Sequence, residues 1–275
     1  MIVEEIWRYP VKSMLGEALP HTQVTPVGVA GDRRLALRDL ATGRVVSAKH
    51  PRRWRDMLTL RATGGDSVPV RISLPDGREL STADDVDAVL SALLDAPVAL
   101  IATVPPGATL DRARPEEVLA AGVNAAVTVD ETPLGGGTAP ETFVDFAPVH
   151  LVTTGTLDRI AGAAGAGRPV AATRYRPNLV LRTVGVPGFV ENDWVGRDLR
   201  IGAELVLRVV APTPRCAVPT LAHGELPADP DALRVPARLN RVAPVPQLGP
   251  LPCVGAYARV VRPGRVAVGD RVRLD

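Results

Sequence analysis

Short runs of β-branched and apolar residues, cut by glycine, proline and aspartate, set the texture of this chain. Such runs predict short strands joined by tight turns. Residues 2–12 (IVEEIWRYPVK) predict an opening strand that leaves at Tyr9-Pro10. Residues 24–40 predict two strands around a Gly31-Asp32 turn, with Arg33 and Arg34 opening the second and facing opposite sides. A turn at 39–43 follows, and 57–74 predict two more strands, MLTLRAT and VPVRISL, before the Asp76-Gly77 turn. One segment changes period. In STADDVDAVLSALL (81–94), Val86, Val89, Leu90, Leu93 and Leu94 make one apolar helical stripe, with Ser81 or Thr82 placed to cap it. Asp84 and Asp85 fall at its positive end, where the helix dipole accounts for them without chemistry.

After the strand-like VALIATV the pattern weakens from Pro105 to Pro140, between Pro105-Pro106-Gly107 and Gly135-Gly136-Gly137, with a short helix at Pro115–Ala121. A domain crossing belongs in this stretch, giving units 1–125 and 126–275. Strands resume. Residues 141–154 carry Asp145 and His150, LDRIAGAAG predicts a short helix, and TRYRPNLVLRT predicts a strand with Arg174, Arg176 and Asn178 at its start. A strand–turn–strand unit turning at Gly202 leads to Pro214, and the C-terminal stretch alternates like paired strands turning at Pro263-Gly264 and Gly269-Asp270. The balance is α+β, mainly β, in two lobes.

Composition narrows the function classes. The chain has 275 residues, 46% hydrophobic and 23% charged, with a net charge of +2, so no bulk polycation for nucleic acid is present. Lys12 and Lys49 are the only lysines among 32 basic residues. The arginine bias suits planar oxyanion contacts and equally a GC-rich genome. Two cysteines, Cys216 and Cys253, exclude a CxxC zinc site and any iron–sulfur cluster carried by the chain, while their spacing allows a single disulfide. No basic-then-apolar leader opens the sequence and no apolar run approaches ~20 residues, so a cytoplasmic protein with no membrane span is expected.

Chemistry concentrates at RVVAPTPRCAVPTLAHG (208–224), where a strand ends in a proline-rich turn with Arg215 beside Cys216. A thiol on a rigid loop next to a cation suits a thiolate and a soft metal; a small buried hydrophobe is the alternative. Lys12 and Ser13 at the mouth of the first strand, with Gly16 close by, can hold a phosphate through one charge, one hydroxyl and turn N–H groups. Arg174 and Arg176, two apart, would share one face of an extended strand and can grip an oxyanion.

The strings YPVKSMLG, GDRR, VDFAPVHLVTT, RYRPNLVL, WVGRDLRIG, PRC, GAYARVVRPG and VAVGDRV, in this order and spacing, carry a resemblance over nearly the whole chain. It resembles bacterial proteins built from a MOSC N-terminal β-barrel domain followed by a MOSC domain (molybdenum cofactor sulfurase C-terminus), relatives of the mitochondrial amidoxime-reducing component. The resemblance implies a β-barrel-like first lobe with a packed helix, a MOSC β-barrel second lobe, and a molybdenum–molybdopterin cofactor between them. It places Cys216 as the metal's thiolate ligand and catalytic residue, with Lys12, Ser13, Arg33, Arg176, Asn178 and Arg215 around the cofactor and Asp145 as a second catalytic candidate. It implies an oxidoreductase acting on small N-hydroxylated compounds (amidoximes, hydroxylamines) or N- and S-oxides. Electrons would come from a separate ferredoxin-, flavin- or cytochrome b5-type reductase. The rival reading is a sulfur or molybdenum-cofactor carrier working through Cys216, and more remotely a pyridoxal-phosphate protein using one of the two lysines. Two departures bear on the cofactor's pterin end or the substrate pocket. AVPTLAHGELP follows Cys216 with only Thr220 in register with the threonine-rich segment of the animal relatives, and Phe146-Ala147 stands where they have hydroxylic residues.

Overall fold

The computed structural model describes residues 1–66, 68–135, 141–165, 169–186 and 188–275; Gly136, Gly137 and Pro140 of the glycine-rich stretch lie outside them. The chain folds as an α+β, mainly β, two-lobed protein. Its largest sheet runs in the order Val272–Leu274, Asp198–Ile201, Leu205–Pro214, Leu251–Arg262, Val149–Thr153, Leu179–Arg182, Ile2–Arg8 and Glu17–Ala18, and Arg241–Val242 adds to Leu251–Arg262 outside that path. Val149–Thr153 and Leu179–Arg182 are parallel, with Leu151 opposite Leu179; the other pairs are antiparallel. Parallel neighbours need a crossover. The helix Thr154–Ala164 supplies it, its N-cap Thr153 accepting from the Thr156 N–H at 3.2 Å.

Two strands are exchanged between the halves of the chain. Ile2–Arg8 pairs with Leu179–Arg182, and Gly264–Ala267 pairs with His21–Thr25. Val149–Thr153 is buried at every position, as a strand covered on both faces requires. Its Val149 and Leu151 pack with Val3, Leu179, Leu207 and Val209 into the core of this lobe. A second core, around Val11, Met14, Leu37, Met57, Leu60, Ile72 and Leu90, belongs to the first hundred residues. Three smaller elements surround it: the pair Ala36–Asp39 with Val98–Ile101, the sheet Arg61–Thr63, Arg71–Ser73 and Glu79–Ser81, and the helix Asp87–Leu94.

The structure corrects several local expectations. MLTL is not a strand; Arg55–Thr59 is a 3-10 turn, which puts Met57 and Leu60 three apart on one side, both inside the second core. The helix predicted from 81 begins only at Asp87, because the preceding polar side chains are used elsewhere. Thr82 Oγ1 accepts from Val70 N–H at 3.0 Å, Ser81 Oγ from Ala83 N–H at 3.2 Å and Asp85 Oδ1 from Asp87 N–H at 3.1 Å. The weakly patterned stretch holds a hairpin, Thr109–Ala113 with Val129–Pro133, and the helix Pro115–Ala121 lies in its connection as expected. Asp145 precedes the strand Val149–Thr153 instead of lying in it. Arg174 belongs to a 3-10 turn, Ala172–Tyr175, ahead of the strand Leu179–Arg182.

Candidate functional site

The longest strands converge on Cys216. Leu205–Pro214 ends with the Arg215 N–H donating to the Pro252 carbonyl at 2.8 Å, after which the chain turns away through Val218–Thr220. Thr220 Oγ1 closes that turn by donating to the Ala217 carbonyl at 2.7 Å. Cys216 is thereby held on a short rigid loop, 9% exposed, with Ala48, Leu58, Val218 and Leu221 packed around it. Both cysteines are free thiols, so no 216–253 disulfide forms.

All eight residues singled out in the sequence line one cleft beside this thiol: Lys12, Ser13, Arg33, Asp145, Arg176, Asn178, Arg215 and Cys216. The cleft encloses about 700 Å³ out to its open mouth and lies between the lobes, walled by 12–58 on one side and 144–257 on the other. Its backbone is unusual. Among the described residues five non-glycine residues have positive φ, and three of them are Ser13 (66°), Arg33 (46°) and Arg176 (55°). A side chain in the left-handed region costs roughly 1–2 kcal/mol. Three such residues at one cleft mark a geometry held for something other than stability. The turn conformation overrides the expected alternation of Arg33 and Arg34: Arg33 enters the cleft from the turn and Arg34 is exposed. It also separates Arg174 from Arg176. Arg174 is used as a clamp, donating to the carbonyls of Pro219, Leu221 and Pro227, so the two do not grip jointly from one strand face.

Charge in the cleft is arranged around Asp145 and Tyr9. Lys12 Nζ donates to Asp145 Oδ1 at 2.6 Å and to the Phe143 carbonyl at 3.0 Å, and Lys49 Nζ reaches the same Oδ1 at 2.9 Å. The chain's only two lysines therefore meet on one carboxylate. Burial drives the Lys12 pKa down to about 8, partly countered by Asp145. Burial would raise Asp145, but the two ammonium groups outweigh it and hold the carboxyl well below its ordinary value. Arg33 pairs with Asp32 and donates to the Arg176 carbonyl at 3.1 Å. The guanidiniums of Arg33 and Arg176 lie 4.9 and 4.4 Å from the Tyr9 ring centroid. Burial, with Arg33 adding repulsion, lowers the Arg176 pKa to about 10, so the group stays charged at neutral pH.

Several donors in the cleft are unspent. Arg176 Nη1 donates to the Met14 carbonyl at 2.7 Å, but its Nη2 is buried without a partner among the described residues, as is Arg215 Nε. Ser13 Oγ accepts from Ala48 N–H at 3.0 Å, and no acceptor for its own proton exists among the described residues. Buried donors left open cost free energy unless an acceptor arrives, so an anion or another multiply accepting group would complement this cleft. Asn178 is different. Its Oδ1 accepts from His150 N–H at 3.1 Å and its Nδ2 donates to the Trp7 carbonyl at 3.3 Å, which makes it a brace between strands at the cleft floor. Arg215 is half brace and half donor, its Nη2 donating to the Tyr175 carbonyl at 2.9 Å and its Nη1 lying 3.3 Å from His150 Nε2.

Sequence reasoning gave no role to Lys49, His150, Tyr175 or Tyr257, which also line the cleft. Only Lys49 had a usable signal, its rarity. His150 is buried, and burial with the nearby Arg215 keeps its pKa well below the ordinary value, so it is neutral. A second cavity, of about 790 Å³ out to its mouth, shares Cys216, Asp145, Arg215, Lys49 and Tyr257 with the cleft; the thiol stands on the wall common to both. Among the described residues no cluster of three or more His, Cys, Asp or Glu side chains could hold a metal. A metal at Cys216 would need its remaining ligands from a bound group. No helix there is long and apolar enough to cross a membrane.

A two-lobed β protein with a donor-rich cleft closed by a buried thiol is the class this geometry defines. The chain belongs to the MOSC family: the MOSC domain matches residues 139–273 and the MOSC N-terminal beta barrel domain matches residues 1–95. MOSC domains are associated in general with binding of the molybdopterin cofactor. Among solved structures, the chain is similar to the YuaD protein of Bacillus subtilis, at 12% identity over 99% of this chain and 94% of that one, with a TM-score of 0.47. It is also similar to YiiM from Geobacillus stearothermophilus, at 16% identity over 55% of this chain and 67% of that one, with a TM-score of 0.35. No match was found among the curated proteins.

Proposed function

We propose that this chain binds a molybdenum–molybdopterin cofactor in the cleft and reduces N-hydroxylated compounds, or related N- and S-oxides, at the metal beside Cys216. One observation carries the reading: Lys12, Ser13, Arg33, Arg176 and Arg215 come from distant turns to line one cleft with a single thiol, with Arg176 Nη2 and Arg215 Nε buried and unspent among the described residues. That donor set fits an anionic cofactor. The bound group supplies the two-electron oxygen-transfer chemistry. For a hydroxylamine the balance is R–NHOH + 2e⁻ + 2H⁺ → R–NH₂ + H₂O, the electrons coming from a separate reductase protein.

The chain's own residues hold and orient. Cys216 offers one thiolate to the metal, and the packing of its loop fixes where that sulfur sits. Lys12, Ser13, Arg33 and Arg176 would grip the cofactor's phosphate and pterin, and Arg215 would stabilise negative charge beside the sulfur. Asp145, kept ionised by Lys12 and Lys49, accepts hydrogen bonds and holds both ammonium groups in place; it is not a proton donor at neutral pH. The burial of Cys216 favours a fixed ligand over a sulfur carrier, which needs an accessible and mobile thiol.

The test is molybdenum and pterin content per chain in protein made by a cofactor-producing host, with Cys216→Ser and Arg176→Gln alongside. Near-stoichiometric molybdenum that falls in both variants, with reduction of N-hydroxybenzamidine by an added reductant, is the expected result. Folded wild type with neither molybdenum nor pterin would overturn the reading.

A further inference from the structure

The second cavity differs in chemistry from the cleft it adjoins. Its walls carry more proline and aliphatic carbon than the cleft's, among them Pro212, Pro214, Val245 and Leu248, with Phe146 and Tyr257 forming an aromatic corner at 5.4 Å between ring centroids. A cavity of this kind takes a flat apolar body and orients it by a few polar groups. Its polar lining is Cys216 with Lys49, Asp145 and Arg215, which the cleft shares, and Arg112 and Thr132, which the cleft does not.

Arg112 lies on the hairpin Thr109–Ala113 with Val129–Pro133, within the 96–138 stretch that neither family domain covers. The residue is half-buried, and no carboxylate among the described residues forms a salt bridge with it, although its charge acts on Asp130 across the hairpin. The hairpin's acids are already engaged. Asp130 sits directly across the hairpin from Arg112, yet Arg114 holds both its oxygens at 3.0 and 3.2 Å. Arg44 takes Asp111 and Glu131 at 3.2 and 2.5 Å. A half-buried arginine on a cavity wall whose fork no carboxylate holds can serve as a recognition group, because that planar fork matches a carboxylate.

We infer that this cavity is the substrate chamber and that Arg112 selects substrates carrying a carboxylate on an aromatic or similarly flat body, the reducible nitrogen lying toward Cys216. The inference rests on the proposed function for which group reacts, but carboxylate recognition is a property of the chain alone. It is therefore read by equilibrium binding, without turnover. The probe is 4-carboxy-N-hydroxybenzamidine, compared by calorimetry with its 4-carboxamide analogue, on the full chain prepared without cofactor. Wild type is expected to prefer the carboxylate by about 10- to 100-fold. Arg112→Gln is expected to lose that preference and Arg112→Lys to keep part of it, with unchanged circular dichroism in both. Equal binding of the two probes, no binding of either, or a preference that survives Arg112→Gln overturns the inference. So does a preference lost in Arg176→Gln and intact in Arg112→Gln, which would place the carboxylate in the basic cleft. None of these outcomes depends on molybdenum content, so the two proposals fail separately.

Discussion

Replacing Asp145 by asparagine removes the negative charge on which both lysines converge. Lys12 is the sensitive reporter. It is 5% exposed, burial takes its pKa from 10.5 down to about 8, and Asp145 at 2.6 Å is what holds it that high. A charge-assisted hydrogen bond contributes roughly 1.5–3 kcal/mol, so its loss lowers the proton affinity of Lys12 by roughly 10- to 100-fold and brings its titration toward neutrality. Stability follows with a definite sign. Lys12 binds its proton more weakly folded than unfolded, so between about pH 8 and 10.5 the unfolded chain holds more protons and stability rises with pH. Below that window the buried ammonium costs roughly 3 kcal/mol. In Asp145→Asn the window opens at lower pH. The assay is direct because there are only two lysines: ε-¹³C-lysine labelling gives two resonances, assigned with Lys49→Arg, and each is titrated in wild type and variant. A wild-type Lys12 titrating at its ordinary value, or one unmoved by Asp145→Asn, would refute the reasoning.

Other expectations follow from single contacts. A Cβ at Gly255, where φ is +72°, would come within 2.2 Å of the Leu151 carbonyl oxygen and 2.8 Å of His150 Nε2; Gly255→Ala should cost roughly 3 kcal/mol or more in denaturant melts. Arg176→Gly should be more stable than Arg176→Ala by about 1 kcal/mol, since glycine tolerates the φ of 55° that alanine does not; equal stability would mean the turn is not held left-handed. Cys253 is fully buried and burial pushes its thiol up to about 11, so iodoacetamide should label it only in denaturant, as peptide mass spectrometry would show.

Turn and strand signals were legible where neighbours along the chain decide the conformation. Ile2–Arg8 leaves at Tyr9-Pro10, Gly202 turns between Asp198–Ile201 and Leu205–Pro214, and the helix Pro115–Ala121 stands where its proline and acidic first turn put it. The site residues were legible through short strings whose order resembles a family, and YPVKSMLG, GDRR, VDFAPVHLVTT, RYRPNLVL, PRC and GAYARVVRPG each bring residues to one cleft. What failed locally failed for identifiable reasons. Thr82 went to a backbone N–H of Val70 instead of capping a helix, and Arg33 and Arg176 took left-handed turn conformations that alternation along a strand does not anticipate.

Composition and periodicity thus determined a mainly β chain with one thiol of interest and scarce lysines. Tertiary structure alone decided that Ile2–Arg8 joins the sheet of the second half while Gly264–Ala267 goes to the first, because an apolar run specifies a strand but not its partner. It alone brought Lys49 to Asp145, 96 residues away, and left Arg112 without a salt bridge among the described residues while the hairpin's acids turned to other arginines. Charge pairing depends on distance in space, and a sequence reports distance only along the chain.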